Sequence, residues 1–414
     1  MTDISSVPEE LSFNETDAYH VMPKPVGPVC NMACEYCYYA QNNETSLSCK
    51  NNMMSEGLLE LFIRQTLLSQ KGDCISITWH GGEPLLRGIG FFKKAVELQR
   101  KYARGRQVEN SLQTNGLLVD EDWCRFFHEN RFLVGLSIDG PEHVHDRYRR
   151  DRNGHPTFNR VIQAIRLFHK YKVEFNTLSA INNYSSGFPV EIYRFFKEQD
   201  VRFMQFIPVV ECLPQQSKDA PRLRRLPPEE RINNPVAPWS VKPEVYGRFL
   251  IAIFDQWVTG DVGRYFIPFF DGVLGNWCGI AASQCVLAKE CGNAVVLERD
   301  GSLYSCDHYV FPQHRLGNIS TKSISELVLS GRQKRFGRWK SRGLTSQCRT
   351  CEYLSLCHGE CPKNRFAVSS SGERGHNYLC EGLKLFFRHT EPSMRFMRNE
   401  LMNGRPAANV MRTC

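Results

Sequence analysis

Seventeen cysteines constrain this 414-residue chain more than any other feature, because they fall into two clusters. Three lie between Cys30 and Cys37 and eight between Cys285 and Cys380, while Cys49, Cys74, Cys124, Cys212, Cys278 and Cys414 are scattered. The scattered ones read as small buried or inert residues. A reducing compartment disfavours disulfides, so clustered thiols in a cytosolic chain point to metal or redox chemistry. A cytoplasmic location is expected: Met1–Thr16 is polar and acidic and lacks the basic start and apolar run of a secretory leader. No stretch approaches the ~18 consecutive apolar residues of a membrane span. The net charge of +8 gathers in clusters such as Arg147–Arg152 and Arg222–Arg225. Neither has a nucleic-acid-binding pattern, and both read as solvated loops, so neither nucleic acid nor membrane is an expected partner.

Between the cysteine clusters the hydrophobic pattern alternates. Short β-rich runs occur at Tyr19–Met22, Ile75–Trp79, Val108–Gln113, Phe132–Ile138, Val173–Ser179 and Phe203–Ile207. Helical periodicity separates them at Ser55–Gln70, Phe91–Tyr102, Glu121–Asn130, Phe158–Tyr171 and Pro189–Gln199. Six such units predict an α/β fold with a parallel sheet, a partial (β/α)6 TIM-type barrel, since a closed barrel needs eight. Chemistry then belongs at the C-terminal ends of the strands, where Cys30 onward, His80–Pro84, Thr114–Gly116 and Asp139–Pro141 fall. Pro214–Pro243, rich in Pro, Arg and Gln, reads as a linker or surface excursion. Glu244–Thr259 reads as a helix, and Leu383–Leu401 as an amphipathic basic helix packed on the main domain. The cysteine-rich region between them consists of short irregular segments in need of metal staples. The expected division is a barrel domain over 18–240, an auxiliary-cluster domain over 241–384, and a C-terminal helix and tail over 385–414.

Cys30-Asn-Met-Ala-Cys34-Glu-Tyr-Cys37 puts three thiolates within one loop after the first strand. Three cysteines fill three corners of a four-iron cube and leave one iron open to an exogenous ligand. On spacing alone the alternative is half of a zinc site, although no second CxxC knuckle lies nearby. The loop resembles that of the radical S-adenosylmethionine superfamily, with Tyr36 at the aromatic position before the last cysteine. The resemblance extends through the barrel. His80-Gly81-Gly82-Glu83-Pro84 is similar to the family's motif whose backbone and acid meet the methionine ammonium. Ser137 and Asp139 resemble the fourth-strand motif, whose serine contacts the cofactor. Arg149 resembles the arginine that pairs with the methionine carboxylate, and the wall from Gln205 to Val210 resembles the adenine side of the site.

The C-terminal spacing, Cys291, Gly301, Cys306, Cys348-x-x-Cys351, Cys357, Cys361 and Cys380, resembles the SPASM extension of enzymes that modify peptides and proteins. Seven cysteines cannot fill two four-cysteine clusters, and Cys285 supplies the eighth. A zinc site on Cys348, Cys351, Cys357 and Cys361 is the competing reading. The resemblance implies that Cys285, Cys291, Cys306 and Cys361 hold one auxiliary cluster and Cys348, Cys351, Cys357 and Cys380 the other, three [4Fe-4S] clusters in all with the first.

Cys285 as an eighth ligand and the tandem Cys306-Asp307 make the chain similar, from about Val21 to Leu385, to the anaerobic sulfatase-maturating enzymes. The resemblance implies oxidation of a cysteine or serine in a Cys/Ser-x-Pro-x-Arg segment of a sulfatase to Cα-formylglycine. It further implies Asp307 as the catalytic base and Tyr39 near the substrate. His80 is a substrate-contact candidate at a position where relatives carry glutamine. Burial beside a cluster is expected to raise the pKa of Asp307; the bland alternative is a turn residue. The expected partners are an extended sulfatase polypeptide and an electron donor such as flavodoxin or ferredoxin. A peptide-crosslinking radical enzyme is the alternative, disfavoured because only 29 residues precede Cys30. A non-enzymatic iron–sulfur redox module has no use for an open cluster corner.

Overall fold

The computed structural model describes residues 19–39, 53–214, 226–282, 284–292 and 294–413. The expectations for Met1–Thr16, Cys49, Arg222–Arg225 and Cys414 fall outside these residues.

The first half alternates as expected: β1 (His20–Pro23), α1 (Glu56–Ser69), β2 (Cys74–Trp79), α2 (Ile89–Tyr102), β3 (Gln107–Thr114), α3 (Glu121–Glu129), β4 (Leu133–Ser137), α4 (Glu142–Tyr148), α5 (Phe158–Tyr171), β5 (Phe175–Ile181), α6 (Pro189–Glu198) and β6 (Met204–Pro208). Local chemistry sets the boundaries. Ser55 accepts from the Leu58 amide to start α1, and Asp120 accepts from the Trp123 amide to start α3, with Glu121 and Asp122 in the favourable first turn. Alternating burial of Ile75, Ile77 and Trp79 turns one face of β2 into the core. Trp79, Phe91, Phe92 and Trp123 pack there edge to face, with successive ring centroids 5.4–6.0 Å apart.

The second half comprises α7 (Pro243–Gly260), α8 (Pro268–Trp277), β7 (Ala294–Leu297), β8 (Ser302–Tyr304), β9 (Arg315–Asn318), α9 (Ile324–Val328), α10 (Gly331–Arg342), α11 (Ser346–Arg349), α12 (Leu354–Cys357), β10 (Ala367–Val368), β11 (Arg374–His376) and α13 (Cys380–Met402). The sheet runs β6-β5-β4-β3-β2-β1-β7-β8-β9. Strand β7 lies parallel to β1, pairing His20 with Ala294 and Pro23 with Leu297, and β8 and β9 follow antiparallel. The cysteine-rich region is therefore not wholly irregular: it extends the barrel's own sheet. Its strands of three or four residues are too short to carry a readable period.

Two expectations change. Much of 226–242 is interior: Leu226, Arg231, Trp239 and Val241 are buried. The segment folds back on the end of β6 through Val241 N–H to Val209 O at 3.0 Å. The surface reading failed because the buried charge of Arg231 is answered by Glu211, far off in sequence, at 2.5 Å. The helix expected at Leu383 starts at Cys380, so the boundary placed at 384/385 falls inside α13.

Helix α13 packs on α7 where Gly247 meets Gly382. A Cβ on Gly247 would sit 2.3 Å from the Gly382 carbonyl oxygen, and one on Gly382 would sit 1.9 Å from the Pro243 oxygen. Beyond this contact Phe270 stacks on Phe386 at 5.4 Å. Gly247→Ala is expected to force the helices apart and cost about 1–3 kcal/mol, read as a lower denaturation midpoint of the cluster-loaded protein. Gly90→Ala in α2, whose added carbon meets nothing within 4 Å, should leave the midpoint unchanged or raise it.

Candidate active site

A cavity of about 1010 Å³ opens at the C-terminal ends of the barrel strands. The loop after β1 lines it with Cys30, Cys34, Tyr36, Cys37, Tyr38 and Tyr39, and the turn after β2 with His80, Gly81 and Gly82. The cysteine loop lies directly on that turn: Gly82 N–H donates to Gly27 O at 2.8 Å and Glu83 N–H to Val29 O at 2.9 Å. A Cβ on Gly82 would be 2.0 Å from the Val29 oxygen, and Gly81 has φ +133°. Only glycine fits this approach.

Glu83, expected at the cofactor, is fully buried and faces the protein. Its carboxylate accepts from Leu85 N–H at 3.0 Å, Thr114 Oγ1 at 2.8 Å and Asn115 N–H at 2.8 Å. Burial pushes its carboxyl up to about 7, against these three bonds. Glu83 thus ties the β2 turn to the end of β3 and does not line the cavity. Ser137 and Arg149 do line it. Arg149 holds Asp139 (Nε to Oδ1, 3.0 Å), and Asp139 also accepts from the Tyr36 hydroxyl at 2.5 Å and Ala180 N–H at 2.8 Å. The basic cluster around Arg149 is therefore not uniformly solvated. On the far wall Ile207, Pro208 and Val209 face the cavity, whereas Val210 is buried behind them. Val210 contributes only a carbonyl, which accepts from Arg231.

From the second half of the chain His308 lines the same cavity, and Asp307, directly before it, is held against the cavity-lining Tyr38. Asp307 is joined to Lys24 and to the Tyr38 hydroxyl. Burial by itself would raise its carboxyl, as the sequence led us to expect. The Lys24 ammonium, by its charge and its hydrogen bond, leads the influences that outweigh burial and hold it well below the usual carboxylate range. Lys24 has no solvent exposure and sits 3.4 Å from the Tyr39 ring centroid. The Tyr39 hydroxyl is committed to Glu298, at 2.7 and 2.9 Å. Tyr39 therefore builds the cage around the ion pair, and Tyr38 is the tyrosine that touches the acid. His80 lines the cavity with its pKa lowered by burial, which favours the neutral ring.

Sequence reasoning missed Lys24, Tyr38 and Glu298. The one available signal was position: Lys24 directly follows β1, and Glu298 directly follows β7. Pairing of those two strands brings them together.

The cysteines gather in three places. Burial is the main cause that raises the thiols of Cys30, Cys34, Cys285, Cys291, Cys306, Cys357, Cys361 and Cys380, and repulsion between cysteines adds to it at all of these but Cys285. Cys37 acts on Cys30, and both act on Cys34; Cys30 and Cys34 are each pushed up to about 12. Cys285 and Cys291 act on Cys306, and Cys285 and Cys306 on Cys361. Cys348 and Cys380 act on Cys357, and Cys348 and Cys351 on Cys380. The last four line a cavity of about 350 Å³. Converging buried thiols that resist ionisation fit cationic clusters, which supply the positive charge that thiolates need. The set of three lines the large cavity.

Residues 25–186 match the Radical SAM superfamily, and residues 285–352 match an iron-sulfur cluster-binding domain, SPASM. A serine-type anaerobic sulfatase-maturating enzyme of Bacteroides thetaiotaomicron is 47% identical over 95% of this chain and 94% of its own. A cysteine-type anaerobic sulfatase-maturating enzyme of Clostridium perfringens is 35% identical over 91% of this chain and 98% of its own. Among solved structures, native anSMEcpe with bound AdoMet and Cp18Cys peptide superposes with a TM-score of 0.79 at 34% identity, covering 92% of this chain and 99% of that one.

Lys24→Met removes the cation paired with Asp307. Breaking a buried ion pair from one side costs about 3–5 kcal/mol, so the variant should unfold at clearly lower denaturant than Lys101→Met, whose pair with Glu60 is exposed to solvent.

Proposed function

The chain belongs to the anaerobic sulfatase-maturating enzymes of the radical S-adenosylmethionine superfamily, and from that premise we propose that it oxidises a serine or cysteine in a Cys/Ser-x-Pro-x-Arg segment of a sulfatase to Cα-formylglycine. The observation that carries the reading is the contact of Asp307 with Tyr38, which lines the cavity beside Cys37, and with the buried Lys24.

The cofactors are S-adenosylmethionine and [4Fe-4S] clusters. Once bound, they would supply hydrogen-atom abstraction at the substrate Cβ, with S-adenosylmethionine cleaved to methionine and 5′-deoxyadenosine. The protein manages what remains, one proton and one electron. Asp307 is held ionised by Lys24 at Oδ1, and its Oδ2, which accepts from the Tyr38 hydroxyl, would accept the proton from the substrate hydroxyl or thiol in that hydroxyl's place. Cys285, Cys291, Cys306 and Cys361 would hold an auxiliary cluster able to accept the electron, and Cys306 is next in sequence to that base. Cys30, Cys34 and Cys37 hold the open cluster. Gly81, Gly82, Ser137 and Arg149 shape the cofactor side of the cavity, and the buried Glu83 fixes the turn that carries the glycines. His80, neutral and at the cavity wall, is placed to meet the substrate.

Identity of 47% to a serine-type relative, against 35% to a cysteine-type one, favours serine as the natural target. The substrate enters as an extended polypeptide, and a flavodoxin- or ferredoxin-class donor supplies electrons. All described cysteines are free thiols. No described helix is long and apolar enough to cross a membrane. A reducing cytoplasm suits both facts.

Anaerobic incubation of the loaded enzyme with S-adenosylmethionine, reductant and a serine-type peptide should yield the aldehyde, seen as a loss of two hydrogens by mass spectrometry. Unchanged serine- and cysteine-type peptides alongside accumulating deoxyadenosine would reject the substrate. Asp307→Asn should cut aldehyde formation by about a hundredfold or more while deoxyadenosine still forms. The C30A/C34A/C37A variant should retain about eight of about twelve irons and form no deoxyadenosine.

A further inference from the structure

Helix α10 is strongly polar, yet three of its residues, Gln333, Gly337 and Lys340, point inward at helical spacing. They grip the loop that carries Cys285 and Cys291. Gln333 Nε2 donates to Gly292 O at 2.8 Å and Ser305 O at 3.2 Å. Cys291 N–H donates to Gly337 O at 3.1 Å, and a Cβ on Gly337 would fall 2.2 Å from the Cys291 oxygen. Lys340 has no solvent exposure; its ammonium donates to Cys285 O at 2.6 Å and Val286 O at 2.9 Å.

The partners of this cation are unusual in kind. Both are neutral carbonyls. A second buried cation, Arg365, lies behind it, with Nη1 donating to Lys340 O at 2.6 Å, Nε to Gly359 O at 3.0 Å and Nη2 to His358 O at 3.1 Å. Among the described residues no carboxylate forms an ion pair with either. The nearby buried acid, Glu360, instead accepts from Asn364 at 2.9 Å and Asn377 at 2.8 Å. Two buried cations satisfied only by carbonyls leave positive charge unanswered in a low-dielectric interior, which is costly. The groups nearby that become anionic when metal binds are the cysteines.

We propose that Lys340, backed by Arg365, is the built-in counter-charge of the auxiliary cluster held by Cys285, Cys291, Cys306 and Cys361, and sets that cluster's reduction potential high enough to take up an electron. A fixed positive charge favours the reduced, more negative state of a cluster. Lys340 is a positioning residue: it touches the Cys285 loop and never the substrate. The use made of the electron rests on the function proposed above; the charge relation does not.

The test uses the C30A/C34A/C37A protein, in which only the auxiliary clusters titrate, and reads iron content and midpoint potentials by spectroscopically monitored redox titration. Lys340→Met should keep about eight irons per chain and move one midpoint to a more negative potential while leaving the other in place. Lys340→Arg should hold both. Unchanged midpoints in Lys340→Met at full iron would overturn the proposal. If Lys340→Met loses iron, Lys340→Gln and Lys340→Arg decide. Iron retained only by Lys340→Arg, or a negative shift in an iron-replete Lys340→Gln, supports the counter-charge. Iron lost from all three, or an iron-replete Lys340→Gln with parental midpoints, overturns it. No peptide is present, so a failed oxidation assay and a failed charge assignment give separate signals.

Discussion

A desolvated thiolate is stable only against positive charge, and this chain gathers half-buried cysteines whose thiols burial raises, as at Cys34 and Cys361. That constraint organises the molecule. The protein sets fixed positive charges beside the cysteine sets and the acid that adjoins one of them. Asp307, next in sequence to Cys306, receives Lys24. The Cys285 loop receives Lys340. The barrel positions the first set of cysteines on a turn that admits only glycine, and the extension of the same sheet positions the second.

The parts that follow a local period were legible in the sequence. The six barrel strands and the helices between them stand within a few residues of their expected places, since each is an amphipathic segment with readable ends such as Ser55 and Asp120. Strands β7–β9 were not legible, being too short for a period. Helix α10 was not, because its inward face is Gln, Gly and Lys and carries no apolar stripe. The 226–242 segment looked solvated because its charge, Arg231, gives no hint in sequence of the buried Glu211 that receives it.

At the site, spacing revealed the cysteines, and resemblance to a family suggested the base. Spacing could not reveal the protonation chemistry. The expectation that burial would raise Asp307 identified a real effect but not the winner, since Lys24 comes from the far end of the chain. Likewise the family resemblance implies Tyr39 near the substrate and gives no sign that its hydroxyl is spent on Glu298. Side chains that act on a base from another element become visible only once strand pairing is known.

The parallel pairing of β7 with β1 has a consequence for how this protein can be taken apart. Strand β1 is not the rim of a self-contained barrel; it is an interior strand of a nine-stranded sheet. Excising the cysteine-rich half would uncover the backbone N–H and C=O groups of His20–Pro23 as an unprotected edge, the kind of template on which chains stack and precipitate. The two halves are therefore a poor substrate for modular recombination. A graft that exchanges one auxiliary region for another has to bring its own strand to close the seam.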